Sequence, residues 1–438
     1  MCARFGHDWP DGKQDSLGEQ AMPASFAVGW RQVGIGFLLL AAVGMVASTW
    51  SLVAVPLAAE YKPSRSVVGL AMTVMSAMGV MLSPLLGNLM DRVSLRKLMV
   101  VGGLALAAGY TAISFTTSFN QVLIIFALLF APANVLIGPV AVTVLLSRWF
   151  AEKRGRAMGF AIAGIAAGGF TFSMIIQGLI DAYQWREALR ILALVLLVWT
   201  VPVAFLVVDR PGDRGLNPDG AAAPPASAQA ELARAPVTVR EILSNPAFWM
   251  IAGTVAIVTG GMKGMITNLA PLVTDQGMPA AKAAVLIQIF TACGFISKLN
   301  FAAMADRVGP RILMFAALGG FAGGMACLTQ ASAGFAVIAL GIALLGLFGG
   351  LMVPIESYLA PRVFGQRAVG RAMGLLAGTI LFVLLWTPPL FGLIFDITGS
   401  YSGIFWTFTG LALLALLWVP RMRLTAREEP RAQAVPAE

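Results

Sequence analysis

Three ionisable side chains, Lys263, Lys298 and Glu356, stand inside otherwise apolar stretches of this sequence. A charge in hydrocarbon is costly enough to need a partner or a purpose. Lys298 lies eight residues before Asp306, which at 1.5 Å per residue puts it ~12 Å from the charged helix end, near the middle of a bilayer core. It either contacts an anion or snorkels to the interface, and ~12 Å exceeds the reach of a lysine stem. Lys263 sits in Thr259-Gly260-Gly261-Met262-Lys263-Gly264-Met265-Ile266-Thr267-Asn268. Three glycines there predict a kinked or partly unwound helix whose freed N–H groups and cation face one anion, with Asn268 as a polar edge. The alternative is a plain kink, with Lys263 reaching the headgroups. Glu356 lies six residues before Arg362, or ~9 Å from the helix end. It is either a proton-carrying carboxyl or an ion-pair partner for Arg92, Arg307 or another basic group. Trp50 and Asn134 are further candidates for a polar cavity wall, against the alternative of packing or interfacial belt.

These groups have to be positioned by membrane helices. The 438 residues are 58% hydrophobic and 12% charged, a balance that excludes a soluble multidomain protein. Twelve nearly charge-free runs fall at 33–56, 66–88, 98–117, 121–147, 157–180, 191–208, 247–272, 283–303, 312–330, 334–358, 372–395 and 397–420, each near the ~20 residues that span a bilayer. The expected fold is an all-α membrane protein with twelve transmembrane helices in two six-helix pseudo-symmetric bundles. Alternate loops carry twelve Lys/Arg residues against five in the opposite set, which places the basic loops and both termini in the cytoplasm. The net charge of +9 then reflects topology and anionic headgroups, an expected lipid partner, rather than nucleic acid. Cys2, Cys293 and Cys327 are scattered and the single histidine, His7, lies in the N-terminal tail. No metal site, cofactor, histidine relay or catalytic residue is therefore expected, and no enzyme cluster is visible.

The chain divides into a tail at 1–32, a bundle at 33–208, a linker at 209–246, a second bundle at 247–420 and a tail at 421–438. The Pro-, Ala-, Gly- and charge-rich stretch 209–240 reads as flexible. Across it the sequence repeats itself. Asp91-Arg92-Val93 returns as Asp306-Arg307-Val308, Gly155-Arg156-Ala157-Met158-Gly159 as Gly370-Arg371-Ala372-Met373-Gly374, and Pro56-Leu57 as Pro271-Leu272, all at an offset of 215 residues. Three matches in one register mark an internal duplication. The three buried charges have no counterpart in the first half.

The run Gly87-Asn88-Leu89-Met90-Asp91-Arg92 followed by Arg96-Lys97, with its copy Ala305-Asp306-Arg307 through Arg311, resembles the loop motif of the major facilitator superfamily. Ser147-Arg148-Trp149-Phe150, the linker stretch Arg210 to Gly220 and Asp396 to Tyr401 are similar to bacterial members of its monocarboxylate and oxalate/formate branch. The resemblance implies an inner-membrane carrier that moves an organic anion (a mono-, di- or aromatic carboxylate) by alternating access, with H+ or a second anion as co- or counter-ion. It implies a cytoplasmic gate at Gly87, Asp91, Arg92, Arg96, Asp306, Arg307 and Arg311. It also implies that Lys298 stands where the branch usually carries a substrate-binding arginine; a lysine lacks the bidentate fork. An exporter of amphiphilic compounds and a non-transporting receptor are the alternatives.

Overall fold

A computed structural model of the chain describes residues 24–63, 65–220, 238–279 and 281–422. Most of both expected tails, with Cys2 and His7, and the middle of the linker lie outside the described residues. Eleven helices among the described residues are long and apolar enough to cross a membrane. One of them, Arg154–Phe205, contains two of the twelve expected spans, because Gln184 at φ 63, ψ 163 turns the chain between them. The spans lie within α1 (Ala24–Tyr61, its span ending at Ala54), α2 (Arg65–Arg92), α3 (Leu95–Ser114), α4 (Phe119–Trp149), α5 (154–183), α6 (185–205), α7 (Pro246–Thr267), α8 (Ala281–Met304), α9 (Pro310–Leu328), α10 (Phe335–Phe364), α11 (Val369–Thr398) and α12 (Ser402–Leu416).

Local chemistry sets several boundaries. At the start of α7 the Asn245 side chain accepts from the N–H of Ala247 at 3.0 Å, and Pro246 fills the first helical position, where no N–H is needed. Gly399 ends α11 at φ 68 and returns its N–H to the Phe395 carbonyl at 2.7 Å, a left-handed stop that glycine tolerates. The fourth span of each half is irregular. π-turns occupy Phe126–Phe130 in α4 and Leu345–Gly349 in α10, and α4 breaks again at Gly138, whose backbone is extended ahead of Pro139. Such backbone is tolerated at membrane depth where protein or an aqueous cavity surrounds it.

Within the first bundle, Gly44, Gly164 and Gly168 bring α1 and α5 so close that an added Cβ would overlap facing backbone, the close packing that small-residue spacing implies. Phe382, Trp386, Leu390, Leu393 and Ile397 form one exposed stripe on α11. In an integral membrane protein that stripe meets lipid, so Trp386 belongs to the outer surface. The two bundles meet mainly through α2 against α11 and α5 against α8, with α4 and α10 between them.

Candidate functional site

A cavity of about 280 Å³ lies between the bundles, lined from α1 by Val43, from α2 by Ser76 and Ser83, from α4 by Asn134, from α7 by Val255 and Thr259, from α10 by Glu356 and Ser357, and from α11 by Ala377 and Leu384, among others. The lining is mostly apolar, and its polar groups differ in what they have left to offer. The hydroxyls of Ser76 and Thr259 donate to carbonyls one turn back in their own helices, at 2.9 and 2.6 Å. Ser357, 1% exposed, has no partner for its hydroxyl among the described residues. Glu356, 8% exposed, makes no ion pair among the described residues. A buried polar group without a partner is costly. Ser357 and Glu356 on one turn of α10, which share the cavity lining with Asn134 of α4, are therefore the part of the wall that a ligand would satisfy. Ser357 was not singled out from sequence; its adjacency to a buried carboxyl was the available signal.

Of the other expected contacts, the structure brings some near and others not. Lys263 is exposed and lies one turn beyond Thr259 on the stripe of α7 that carries Val255 and Thr259, so it stands beyond the cavity on the side away from the basic loops. The expected unwinding at Lys263 does not occur. α7 is continuous from Pro246 to Thr267, and its glycines serve contact: Cβ atoms at Gly260, Gly261 and Gly264 would crowd Thr387, Phe321 with Phe408, and Phe391. Asn268 terminates that helix and donates through Nδ2 to the Gly264 carbonyl at 2.8 Å. It acts as a cap and does not line the cavity. Trp50 is also placed elsewhere. It packs edge-to-face on Phe126 at 4.8 Å and on Phe119 at 6.2 Å, inside the first bundle.

Lys298 lies outside the cavity lining. It is one turn from Ala302, the α8 residue packed on Gly159 of α5, which puts it at the seam between bundles. Its ammonium donates to the Gly294 carbonyl at 3.0 Å. That carbonyl lies on the side away from the basic loops, so the lysine does not snorkel toward them.

At the basic-loop end the two bundles are joined by a reciprocal arrangement. Asp91 accepts from the backbone N–H groups of Gly370 and Arg371 at 2.9 and 2.8 Å. Asp306 accepts from those of Gly155 and Arg156 at 2.9 and 3.0 Å. Each carboxylate thus caps the first turn of a helix in the other bundle, where orphan donors and the helix dipole favour an anion. Close approach supports both caps: a Cβ on Gly87 would overlap the Gly370 backbone carbonyl, and one on Gly155 would overlap the Ala305 side chain. Arg371 adds a bond from Nε to Asn88 Oδ1 at 3.1 Å.

The remaining gate residues divide. Arg96 and Arg311 do not bridge the bundles. Arg96 Nε donates to the Val207 carbonyl at 2.7 Å and Arg311 Nη2 to the Met422 carbonyl at 3.1 Å. Both donors and both acceptors are related by the offset of 215 residues, so each arginine ties the end of the sixth helix to its own bundle. Arg92 and Arg307 are exposed.

The linker also departs from expectation. Its first part, through residue 220, is ordered along the basic-loop face of the first bundle. Asp209 accepts from the Arg96 N–H at 2.8 Å, and Trp149 Nε1 donates to the Val208 carbonyl at 2.8 Å. Asp219 accepts from Ala151 and Glu152 at 2.7 and 2.8 Å. Composition gave flexibility because it does not weigh carboxylates that find backbone donors. On the opposite face, Glu60 pairs with Arg186 at 2.7 Å. The hydrogen bond from Arg186 holds the Glu60 carboxyl below the usual carboxylate range.

A family model of the Major Facilitator Superfamily matches residues 34–300 and 254–438. The chain is 25% identical over 391 residues to monocarboxylate transporter 13 of Rattus norvegicus, covering 88% of this chain and 87% of that one. It is 28% identical over 409 residues to monocarboxylate transporter 11 of Mus musculus, covering 90% and 84%. Among solved structures, a proton:xylose symporter, XylE, bound to 6-bromo-6-deoxy-D-glucose superposes with a TM-score of 0.74 at 12% identity, over 91% of this chain and 96% of that one. The human organic anion transporter MFSD10 superposes at 0.67 with 16% identity, over 91% and 99%; at these identities the likeness is one of fold. With its duplicated six-helix bundles, its central cavity and its reciprocal caps, the chain belongs to the Major Facilitator Superfamily and within it resembles the monocarboxylate transporters.

Proposed function

We propose that this protein is a secondary transporter of a small organic anion, a monocarboxylate with an apolar body, and that it works by alternating access. The observation that carries this reading is the cavity between bundles, whose apolar wall is interrupted by Asn134, by Glu356 and by Ser357, the last with no partner for its hydroxyl among the described residues. A volume of about 280 Å³ is roughly nine waters' share of liquid volume, which suits a small ligand. The apolar wall would hold the ligand's body, and Asn134 and Ser357 would donate to its carboxylate. Lys263 would attract anions toward the mouth before contact, and Lys298 would meet the carboxylate as the seam beside it opens. Glu356, with no ion-pair partner among the described residues, would carry a proton with the substrate. In this reading the sealed basic-loop face is cytoplasmic by its Lys/Arg excess, and the protein sits in an inner membrane open to the outside.

Uptake of labelled mono-, di- and aromatic carboxylates into proteoliposomes tests the reading. Asn134→Ala and Ser357→Ala are each expected to raise KM about tenfold, the loss of one hydrogen bond to a charged group. Lys298→Ala is expected to abolish most anion uptake; unchanged uptake in that variant removes the lysine from the mechanism. The apolar wall favours a second reading, an exporter of amphiphilic compounds, and flux of neutral amphiphiles exceeding that of carboxylates would select it.

A further inference from the structure

The loop between α4 and α5 is held from two sides by carboxylates. Asp219 of the linker accepts from three successive backbone N–H groups, those of Ala151, Glu152 and Lys153, at 2.7, 2.8 and 3.2 Å. Two residues later Asp306 of the other bundle accepts from Gly155 and Arg156. Asp219 reaches this place in a left-handed backbone conformation, φ 57 and ψ 7, which a non-glycine residue adopts at a cost unless its surroundings offset it. Three hydrogen bonds to a charged acceptor supply the offset. The corresponding loop of the second bundle has a different solution: Gln366–Ala368 closes as a 3-10 turn. The first bundle's loop takes no such turn, and its donors are met from the linker.

We propose that Asp219 is a positioning residue for the seal between α5 and α8. By fixing residues 151–153 it sets the direction in which α5 begins, and so presents the Gly155 and Arg156 N–H groups to Asp306. The linker thereby latches the sealed state instead of only joining the bundles. This rests on the alternating-access reading, in which the seal between Asp306 and α5 opens during each cycle.

The test uses the full chain in proteoliposomes, with Cys2, Cys293 and Cys327 replaced by serine and Ala377→Cys in the cavity wall as reporter. Labelling by a membrane-impermeant maleimide is measured from each face. Asp219→Ala is expected to raise the labelling rate from the basic-loop face about fivefold, Asp219→Asn by less because one acceptor oxygen remains, and Asp306→Asn by at least as much as Asp219→Ala. The double variant Asp219→Ala with Asp306→Asn is expected to label no faster than Asp306→Asn alone, since one residue acts through the other. Wild-type labelling in both Asp219 variants, while Asp306→Asn labels faster, overturns the latch and leaves the seal intact. Additive rates in the double variant also overturn it. Wild-type labelling in Asp306→Asn overturns the seal itself and the alternating-access reading with it. A residue that only stabilised the linker would lower the melting temperature without changing the ratio of rates; should Asp219→Ala fail to fold, Asp219→Asn decides between these outcomes.

Discussion

Replacement of Gly159 by alanine separates the stability of this protein from its conformational balance. A Cβ built on Gly159 lies 2.7 Å from N, Cα and Cβ of Ala302 on α8, whereas carbon pairs rest at about 3.5–4.0 Å. Two of these atoms are backbone, so α5 and α8 have to part by roughly 1 Å rather than rotate a side chain. Overpacking of this kind costs about 1–3 kcal/mol, and under the proposed alternating access only in the state where the seam is shut. Alanine in place of glycine inside a helix stabilises by about 1 kcal/mol in every folded state. Gly159→Ala is therefore expected to leave the melting temperature unchanged or modestly lowered, since the helix gain offsets only about 1 kcal/mol of the loss in the shut state, while shifting the population toward the state open at the basic-loop face by a factor of about 5–150. Spin labels on Val93→Cys and Met304→Cys, exposed residues at that face on opposite bundles, would report the shift as a new, longer distance by electron double resonance. Gly178→Ala on the same helix is the control, because a Cβ there meets nothing within 4 Å. Identical distance distributions in Gly159→Ala and its parent would refute the assignment of this contact to a closed seam.

Two further outcomes follow from the site and from the opposite face. Glu356→Gln is expected to retain substrate binding and lose the pH dependence of uptake; a pH profile that survives the substitution assigns the proton to another group. Glu60 has a lowered carboxyl pKa, set first by the Arg186 hydrogen bond. Its stabilising contribution is thus present above the unfolded carboxylate value of about 4.3 and is lost as pH falls through the lower folded value. The gap in melting temperature between the wild type and Glu60→Gln should accordingly narrow as pH falls below the unfolded carboxylate value of about 4.3, and a pH-independent gap would contradict the pairing.

The duplication, the twelve spans and the position of Glu356 between bundles were legible in the sequence because each depends on periodicity, length or the cost of burying charge. Partnership was not. Asp91 and Gly370 both belong to repeated motifs, yet nothing in either motif says that the first copy of one meets the second copy of the other. Arg96 and Arg311 looked like gate residues for the same reason, since a basic residue near a helix end has the same pattern whether it bridges bundles or ties down its own. The glycines around Lys263 fit both unwinding and close packing, and only the facing rings of Phe391 and Phe408 decide between them. Trp50 shows the limit for aromatics in a membrane span, where inward and outward faces are both apolar. The ordered linker was hidden because its order comes from Asp209 and Asp219 finding distant backbone donors.

The reciprocal caps have a consequence for how such a molecule could arise. A six-helix chain carrying one Asp-Arg-Val segment and one Gly-Arg-Ala-Met-Gly segment cannot, with this geometry, bring its own two segments together. Two copies related by a two-fold axis make both contacts at once, as in any isologous dimer. Fusion of the two copies then keeps the paired interface while freeing each copy to diverge, and Lys263, Lys298 and Glu356, present in one half alone, are the kind of asymmetry that a homodimer could never acquire.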